Sequence, residues 1–227
     1  MQNLEANRVL AALPQLRAQT EILEPPYGDT LIEQGEPSPL VYFPLPGAVL
    51  SLTRAVQNGT QVEVGVIGFE GIGGIAGVLD PRRSIDRGVV QAEGTFATIS
   101  VAAFTRLLGS DDAVRALFFR YTNAFLMQVA QTALCNRLHL LEQRLARWLL
   151  MMHDRVQCNE MRMTQEFLSH MLGTRVAGVN EAVASLVRAG LIAHTRQRVT
   201  VLDRGGLEAA ACECYAVARD EMERATI

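Results

Sequence analysis

The punctuation of the chain is uneven. All eight prolines lie at or before Pro81, and no glycine occurs between Gly109 and Gly173. Proline removes a backbone donor and glycine frees the backbone, so their density decides where long elements can run. The first hundred residues are confined to short pieces and turns, whereas the stretch after Ser110 can hold long helices. A fold for this sequence must be β-rich first and helical second.

Turn signals recur through the first part: Pro25-Pro26, Tyr27-Gly28-Asp29, Gly35-Glu36-Pro37, Pro46-Gly47, Asn58-Gly59, Gly73-Gly74 and Asp80-Pro81. Between them lie Leu40–Phe43, Val49–Thr53, Val62–Ile67, Val89-Val90 and Phe96–Ile99, all rich in strand formers. Short strands at even spacing predict a jelly-roll-like β-roll over residues 1–110. Asn58-Gly59, between two such runs, is the best hairpin signal. A helix from Leu4 to about Leu16 precedes the strands.

Ser110-Asp111-Asp112 is a helix start, and a long helix is expected over 111–136. Val114, Phe118, Tyr121, Phe125 and Val129 form an apolar stripe, widened by Leu117, Leu126 and Ala133. That surface is wide for one partner, so the helix is expected to pack on the roll and on a second copy of itself, with Phe118, Tyr121, Phe125 and Val129 as the dimerisation residues; a buried helix in a monomer is the plainer reading of the same stripe. A second helix follows, from His139 to about Val156, with Leu141, Leu145, Trp148, Leu149 and Met152 on one face.

Charge is partitioned. There are 21 arginines and no lysine, against 24 carboxylates, for a net charge of −3. This excludes binding of polyanions through bulk positive charge. One segment departs from the balance: residues 162–204 carry six arginines and three carboxylates. In it, Thr164 is an N-cap, and Phe167, Leu168 and Met171 are the buried face of a short helix. Leu172-Gly173-Thr174 is a tight turn. A second helix starts near Thr174, with Val179, Val183, Leu186 and Val187 turned inward, and ends at Ala189-Gly190. This is a helix-turn-helix pattern, although any helical hairpin shares part of it. The next residues, 193–202, read as a hairpin with Arg196 and Arg198 near its tip. A helix-turn-helix followed by a basic hairpin is a winged helix, here spanning residues 137–227 with a C-terminal helix. An exposed edge hairpin charged for solubility is the plainer reading of the same residues.

At this point the whole chain resembles the Crp/Fnr family of bacterial transcription regulators. The resemblance is strongest in Arg137-Leu138-His139 through Trp148-Leu149-Leu150, in Thr164–Ile192, and in Asp203-Arg204-Gly205-Gly206-Leu207-Glu208. It implies an α+β chain: a cyclic-nucleotide-binding-like β-roll, a long dimerisation helix and a C-terminal winged helix-turn-helix. It also implies a homodimer on a palindromic double-stranded DNA site, with RNA polymerase as a further partner.

Departures from the family narrow the reading. In members that bind cyclic nucleotides, the phosphate cassette pairs Gly-Glu with Arg and a hydroxyl residue. Here the best match is Gly73-Gly74 with Arg87-Gly88, so the carboxylate and the hydroxyl are missing. The chain is expected to be an atypical member with an unknown effector or none. A cyclic-nucleotide or other small-molecule sensing module that controls DNA binding is the alternative. Iron–sulfur sensing would need cysteines near the N-terminus, and the four cysteines stand at 135, 158, 212 and 214. Cys212 and Cys214 fall on a predicted helix, where residues two apart point to opposite sides, so packing rather than metal binding is expected. The roll has neither histidine nor cysteine to hold a haem or a catalytic metal. No metal, no cofactor and no enzymatic activity are expected.

The recognition helix departs too. Val176 and Ala177 stand where members reading a GTGA-type half-site carry Arg and Glu. The candidate DNA-contacting residues are Thr164, Thr174, Arg175, Val176, Asn180, Glu181, Arg196 and Arg198. By chemistry, Arg175 suits guanine, Asn180 adenine, Glu181 cytosine and Val176 a thymine methyl. No run of about 18 apolar residues could span a membrane, and no secretory leader is visible, so a cytoplasmic protein with reduced thiols is expected.

Overall fold

A computed structural model describes residues 3–55, 57 and 61–226. A 3-10 turn at Leu4–Ala6 leads into α1 (Arg8–Ala12) and α2 (Pro14–Arg17). The strands β1 (Glu21–Leu23), β2 (Thr30–Ile32), β3 (Leu40–Pro44), β4 (Val49–Ala55) and β5 (Gln61–Ile67) follow. Then come α3 (Ile75–Leu79), β6 (Arg87–Ala92), β7 (Phe96–Ser100), α4 (Val101–Ser110), α5 (Asp112–Leu138) and α6 (Leu141–Val156). The remainder is β8 (Glu160–Arg162), α7 (Gln165–Met171), α8 (Val176–Arg188), β9 (Ile192–His194), β10 (Arg198–Val201), α9 (Arg204–Ala210) and α10 (Cys214–Thr226).

The expected opening helix is broken. Asn7 caps α1 by accepting from the amides of Val9 and Leu10, and Pro14 begins a separate turn. The roll consists of two antiparallel sheets, ordered β1-β7-β3 and β2-β6-β4-β5. Alternation along the strands sorts the faces: Leu50, Leu52, Ile67 and Val90 point inward with Tyr42 and Phe96, filling the roll. Ser51 and Thr53 lie on the opposite pleat, with Thr53 registered against Glu63 and Arg87. Asn58-Gly59 lies outside the described residues, but β4 and β5 on either side pair antiparallel, Ala55 opposite Gln61. The short strands β1, β2 and β8 and the helix α4, capped by Ser100, are additions to the expected elements.

The long helix runs from Asp112 to Leu138, its first amides bonded to the Asp111 carboxylate. It lies close on the roll, because Gly65 and Gly71 have no Cβ. A side chain at Gly65 would meet the Phe125 ring at 2.6 Å, and one at Gly71 would meet the Tyr121 ring at 2.8 Å. This corrects the expected dimer face. Phe118 and Tyr121 are buried in their own protomer: Phe118 lies edge-on to Phe104 at 5.6 Å, and Tyr121 donates to the Ile72 carbonyl at 3.1 Å. Phe125 and Val129 are half-buried, and Phe125 packs against the roll interior. The large apolar residues left exposed on α5 are Phe119, Leu126, Met127, Leu134 and Leu138.

The C-terminal helix does not belong to the winged helix alone. α10 runs along α5, and its Met222 and Ala225 share a core with Leu10, Phe104, Phe118 and Tyr121. Between α5 and α10 lies a compact module: α6, α7, α8 and α9 on a three-stranded sheet ordered β8-β10-β9. Its core includes Leu145, Trp148, Leu149, Leu168, Val179, Val183 and Leu186, and continues into Val49 and Val66 of the roll.

Candidate nucleic-acid interface

The expected helix-turn-helix is α7, a turn and α8. Thr164 caps α7, its Oγ1 accepting from the Phe167 amide at 3.1 Å. Leu168 is fully buried, whereas Phe167 is half-buried and lies edge-on to Trp148 at 6.0 Å. Gly173 adopts a φ of +59°, the left-handed conformation that ends α7 and turns the chain into α8. In α8 the buried positions are Val179, Ala182, Val183 and Leu186; Val187, expected inward, is exposed.

The opposite face of α8 is exposed among the described residues. Arg175, Val176, Ala177, Asn180 and Glu181 are all exposed at its N-terminal end, and Thr174 is half-buried. Arg175 is the N-cap residue, and no side chain bonds the first amides of α8. Those amides and the helix dipole favour a phosphate there.

The hairpin β9–β10 pairs Val199 with His194, with residues 195–198 exposed at its tip. Its two arginines differ. Among the described residues Arg196 has no carboxylate partner, whereas Arg198 forms an ion pair with Glu160 of β8. The third strand, absent from the sequence reading, therefore lowers the positive charge that Arg198 offers. The conspicuous run Asp203–Glu208 has structural work. The Asp203 carboxylate accepts from the Gly206 amide at 2.9 Å, and Arg204 binds Asp154 at 2.7 Å and Glu208 at 2.9 Å.

The module is seated on the outer face of the roll by buried polar contacts. The Trp148 indole donates to Glu63 at 2.7 Å, and Ser51 donates to the same carboxylate at 2.7 Å. Burial pushes the Glu63 carboxyl up to about 7, more than its two hydrogen bonds and the nearby Arg147 and Arg155 pull it down. Arg155 pairs with Glu70 at 2.8 Å, both nearly buried. Neither pair was foreseen; a single carboxylate in the apolar run Val62–Ile67 was the available signal.

The expected ligand residues do not form one site. Gly73 bridges to Tyr42, and Gly74 opens α3 in the left-handed conformation. Arg87 lies on the other pleat, outside the roll interior, where it donates to Thr30 Oγ1 at 2.8 Å and pairs with Glu33 at 3.5 Å. Gly88 faces Ile32. Arg87 instead lines a cavity of about 220 Å³ with Thr53 and Gln91 on one side and Phe167, His170 and Met171 of α7 on the other. Among the described residues, Thr53 Oγ1 and the Gln91 amide are buried there without hydrogen-bond partners.

The architecture is a roll, a long helix and a winged helix-turn-helix. Residues 143–210 match the Crp-like helix-turn-helix domain family. Among solved structures, FixK2 from Bradyrhizobium japonicum is similar at a TM-score of 0.71 and 16% identity, over 85% of this chain and 98% of that one. A CRP-family transcriptional regulator from Thermus thermophilus gives 0.69 and 18%, over 84% and 96%. The c-di-GMP responsive global regulator CLP of Xanthomonas campestris gives 0.64 and 17%, over 84% and 98%. No curated protein matches the sequence. The chain carries a Crp-like helix-turn-helix domain on the fold of the Crp/Fnr regulators. Among the described residues no helix is long and apolar enough to cross a membrane.

Proposed function

We propose that this protein is a sequence-specific transcription regulator that binds a palindromic DNA site as a cytoplasmic homodimer and engages RNA polymerase from it. One observation carries the reading. The exposed face of α8 groups Arg175, Val176, Asn180 and Glu181 at its N-terminal end, while its other face is locked into the module core. These side chains offer a cation, an amide and a carboxylate for base edges in the major groove, and Arg196 suits a flanking phosphate.

The exposed face of α5 supports the dimer. Ala116, Phe119, Asn123, Leu126, Ala130 and Ala133 are exposed at spacings of three and four, the seam of a two-stranded coil. Selection of bound fragments from random DNA tests both parts at once. The expected product is an inverted repeat with half-site centres about one helical turn apart. Recovery of no consensus, or of single half-sites only, would reject the reading.

The cavity beside Arg87 favours a second element, a small-molecule effector. Unpartnered Thr53 and Gln91 with a cationic Arg87 suit a polar, anionic ligand, which would bridge the roll to α7. The resemblance to CLP supports trying cyclic dinucleotides as well as cyclic mononucleotides. A rise in melting temperature with one of them, lost in Arg87→Ala, is the supporting result.

A further inference from the structure

The sequence reading placed Cys212 and Cys214 on a helix with their sulfurs diverging. The structure corrects this. α9 ends at Ala210 and α10 begins at Cys214, so Cys212 and Glu213 lie in the junction between them. Freed from helical geometry, both sulfurs face the end of α5. One donor atom from each of Cys135, His139, Cys212 and Cys214 can be chosen so that all four lie within 4.8 Å of one another. All three cysteines are buried, and none is in a disulfide.

Two edges of the cluster are close to those of a tetrahedral ion site, and the whole set lies within 4.8 Å. Zinc bonds of about 2.3 Å to sulfur and 2.0–2.1 Å to nitrogen imply sulfur–sulfur edges of roughly 3.8 Å and sulfur–nitrogen edges of roughly 3.5 Å. The Cys135 and Cys212 sulfurs are 3.5 Å apart, and the Cys214 sulfur is 3.4 Å from His139 Nδ1. The other imidazole nitrogen, Nε2, lies 3.3 Å from the Glu213 carboxylate. Metal-binding histidines are held by such carboxylates, which fix the tautomer and aim the free nitrogen at the ion. Gln131 donates to the Cys214 sulfur at 3.0 Å.

The surrounding charge has the right sign. Arg147 is buried, and among the described residues its Nε and Nη1 have no hydrogen-bond partner. Among the described residues neither Arg147 nor Arg144 has a carboxylate partner in an ion pair, and both couple electrostatically to Cys135. Three thiolates and one divalent cation carry a net charge of −1, and a buried guanidinium would balance it.

We propose that Cys135, His139, Cys212 and Cys214 bind a single soft divalent cation of the zinc type. The ion would fasten the end of α5 to the start of α10, the two points where the chain enters and leaves the DNA-binding module. A Cys135–Cys212 disulfide is the competing chemistry, but it would use neither Cys214 nor the His139–Glu213 pair.

The test uses the full chain, purified reduced, with zinc measured by elemental analysis and Co²⁺ as a spectroscopic probe. The expected result is one zinc per chain. The metal-stripped protein should bind one equivalent of Co²⁺, with sulfur-to-cobalt charge-transfer and tetrahedral d–d absorption that zinc then abolishes. Cys135→Ser and Cys212→Ser should lose these bands, and Cys158→Ser, altered at an exposed thiol outside the cluster, should keep them. In case the cysteine variants fail to fold, Glu213→Gln keeps all four ligands and should weaken Zn²⁺ binding by about 10- to 100-fold. Folded, reduced protein that holds no zinc and develops no cobalt bands would overturn the proposal. So would bands that survive both cysteine changes, an unchanged affinity in Glu213→Gln, or the loss of two thiols on mild oxidation with no metal uptake before it.

Discussion

The indole nitrogen of Trp148 donates to the buried carboxylate of Glu63 across 2.7 Å, and this bond joins the DNA-binding module to the outer face of the roll. Trp148 is the only tryptophan in the chain, so its fluorescence reads this interface directly. Trp148→Phe keeps most of the packing and leaves one Glu63 oxygen without its donor. A loss of about 1–3 kcal/mol in unfolding free energy is expected by denaturant titration. A change within error would mean that the contact is dispensable.

The same carboxyl makes stability depend on pH. Its folded-state value of about 7 lies above the ordinary 4.5, so the folded chain holds a proton that the unfolded chain releases between those values. Stability is therefore highest, with respect to this group, below the ordinary value and falls as pH rises through about 7. The full span corresponds to roughly 3 kcal/mol, at about 1.4 kcal/mol per pH unit. Melting temperature should drop between pH 5 and pH 8, and Glu63→Gln should flatten that slope. A variant with the wild-type slope would assign the dependence elsewhere.

On DNA, Arg175 and Arg196 should separate. Arg175→Ala is expected to cost about 1–3 kcal/mol on the selected site and little on random DNA. Arg196→Ala should weaken both and reduce the log–log salt slope by about 0.9. Arg198→Ala should do less, because Glu160 already pairs with that guanidinium. Filter binding or anisotropy over a salt series checks all three; equal losses on both DNAs for Arg175→Ala would remove it from base reading.

The two sides of α5 predict opposite phenotypes. Leu126 is 61% exposed, so Leu126→Glu should leave the protomer folded and shift sedimentation toward the monomer. Phe118 is 2% exposed, so Phe118→Ala should cost about 3–5 kcal/mol of protomer stability. A dimer that survives Leu126→Glu would move the seam away from this face.

Gly71→Ala tests how the long helix is seated. The added methyl would meet the Tyr121 ring at 2.8 Å, and Tyr121 is fully buried. A destabilisation of about 1–3 kcal/mol is expected by thermal denaturation, and Gly109→Ala, which meets nothing within 4 Å, is the matched control.

The legible parts of the molecule were those governed by local chemistry. Runs of strand-forming residues between turn signals marked β3, β4, β5 and β7, the acid pair at Asp111 marked the start of α5, and Gly173 marked the turn before α8. Partition between two apolar partners was not legible. Both the protomer core and a second helix accept an aromatic stripe, and the close approach at Gly65 and Gly71 decided that Phe118 and Tyr121 go inward. Arg87 lies before the Val89-Val90 run that the sequence marks as a strand, yet it opens β6, on the other pleat from the roll interior, because the register shift between Thr30 and Ile32 and the one in β4 do not show in the sequence. The Cys212–Cys214 geometry was missed because a helix was assumed to continue where α9 stops. At the candidate DNA interface, the composition of the exposed face was readable residue by residue. The Glu160 partner of Arg198 was not, because β8 is only three residues long.

The path of the chain around the winged helix has a practical side. Residues 141–211 leave at the end of α5 and come back to its flank as α10, so the module is topologically an insertion between two neighbouring helices. A cut after Leu138, the natural place to isolate the roll and its long helix, would also discard Met222 and Ala225 from the core beneath it. A roll unit that keeps this core intact is therefore discontinuous: residues through 138 joined by a brief linker to 214–226.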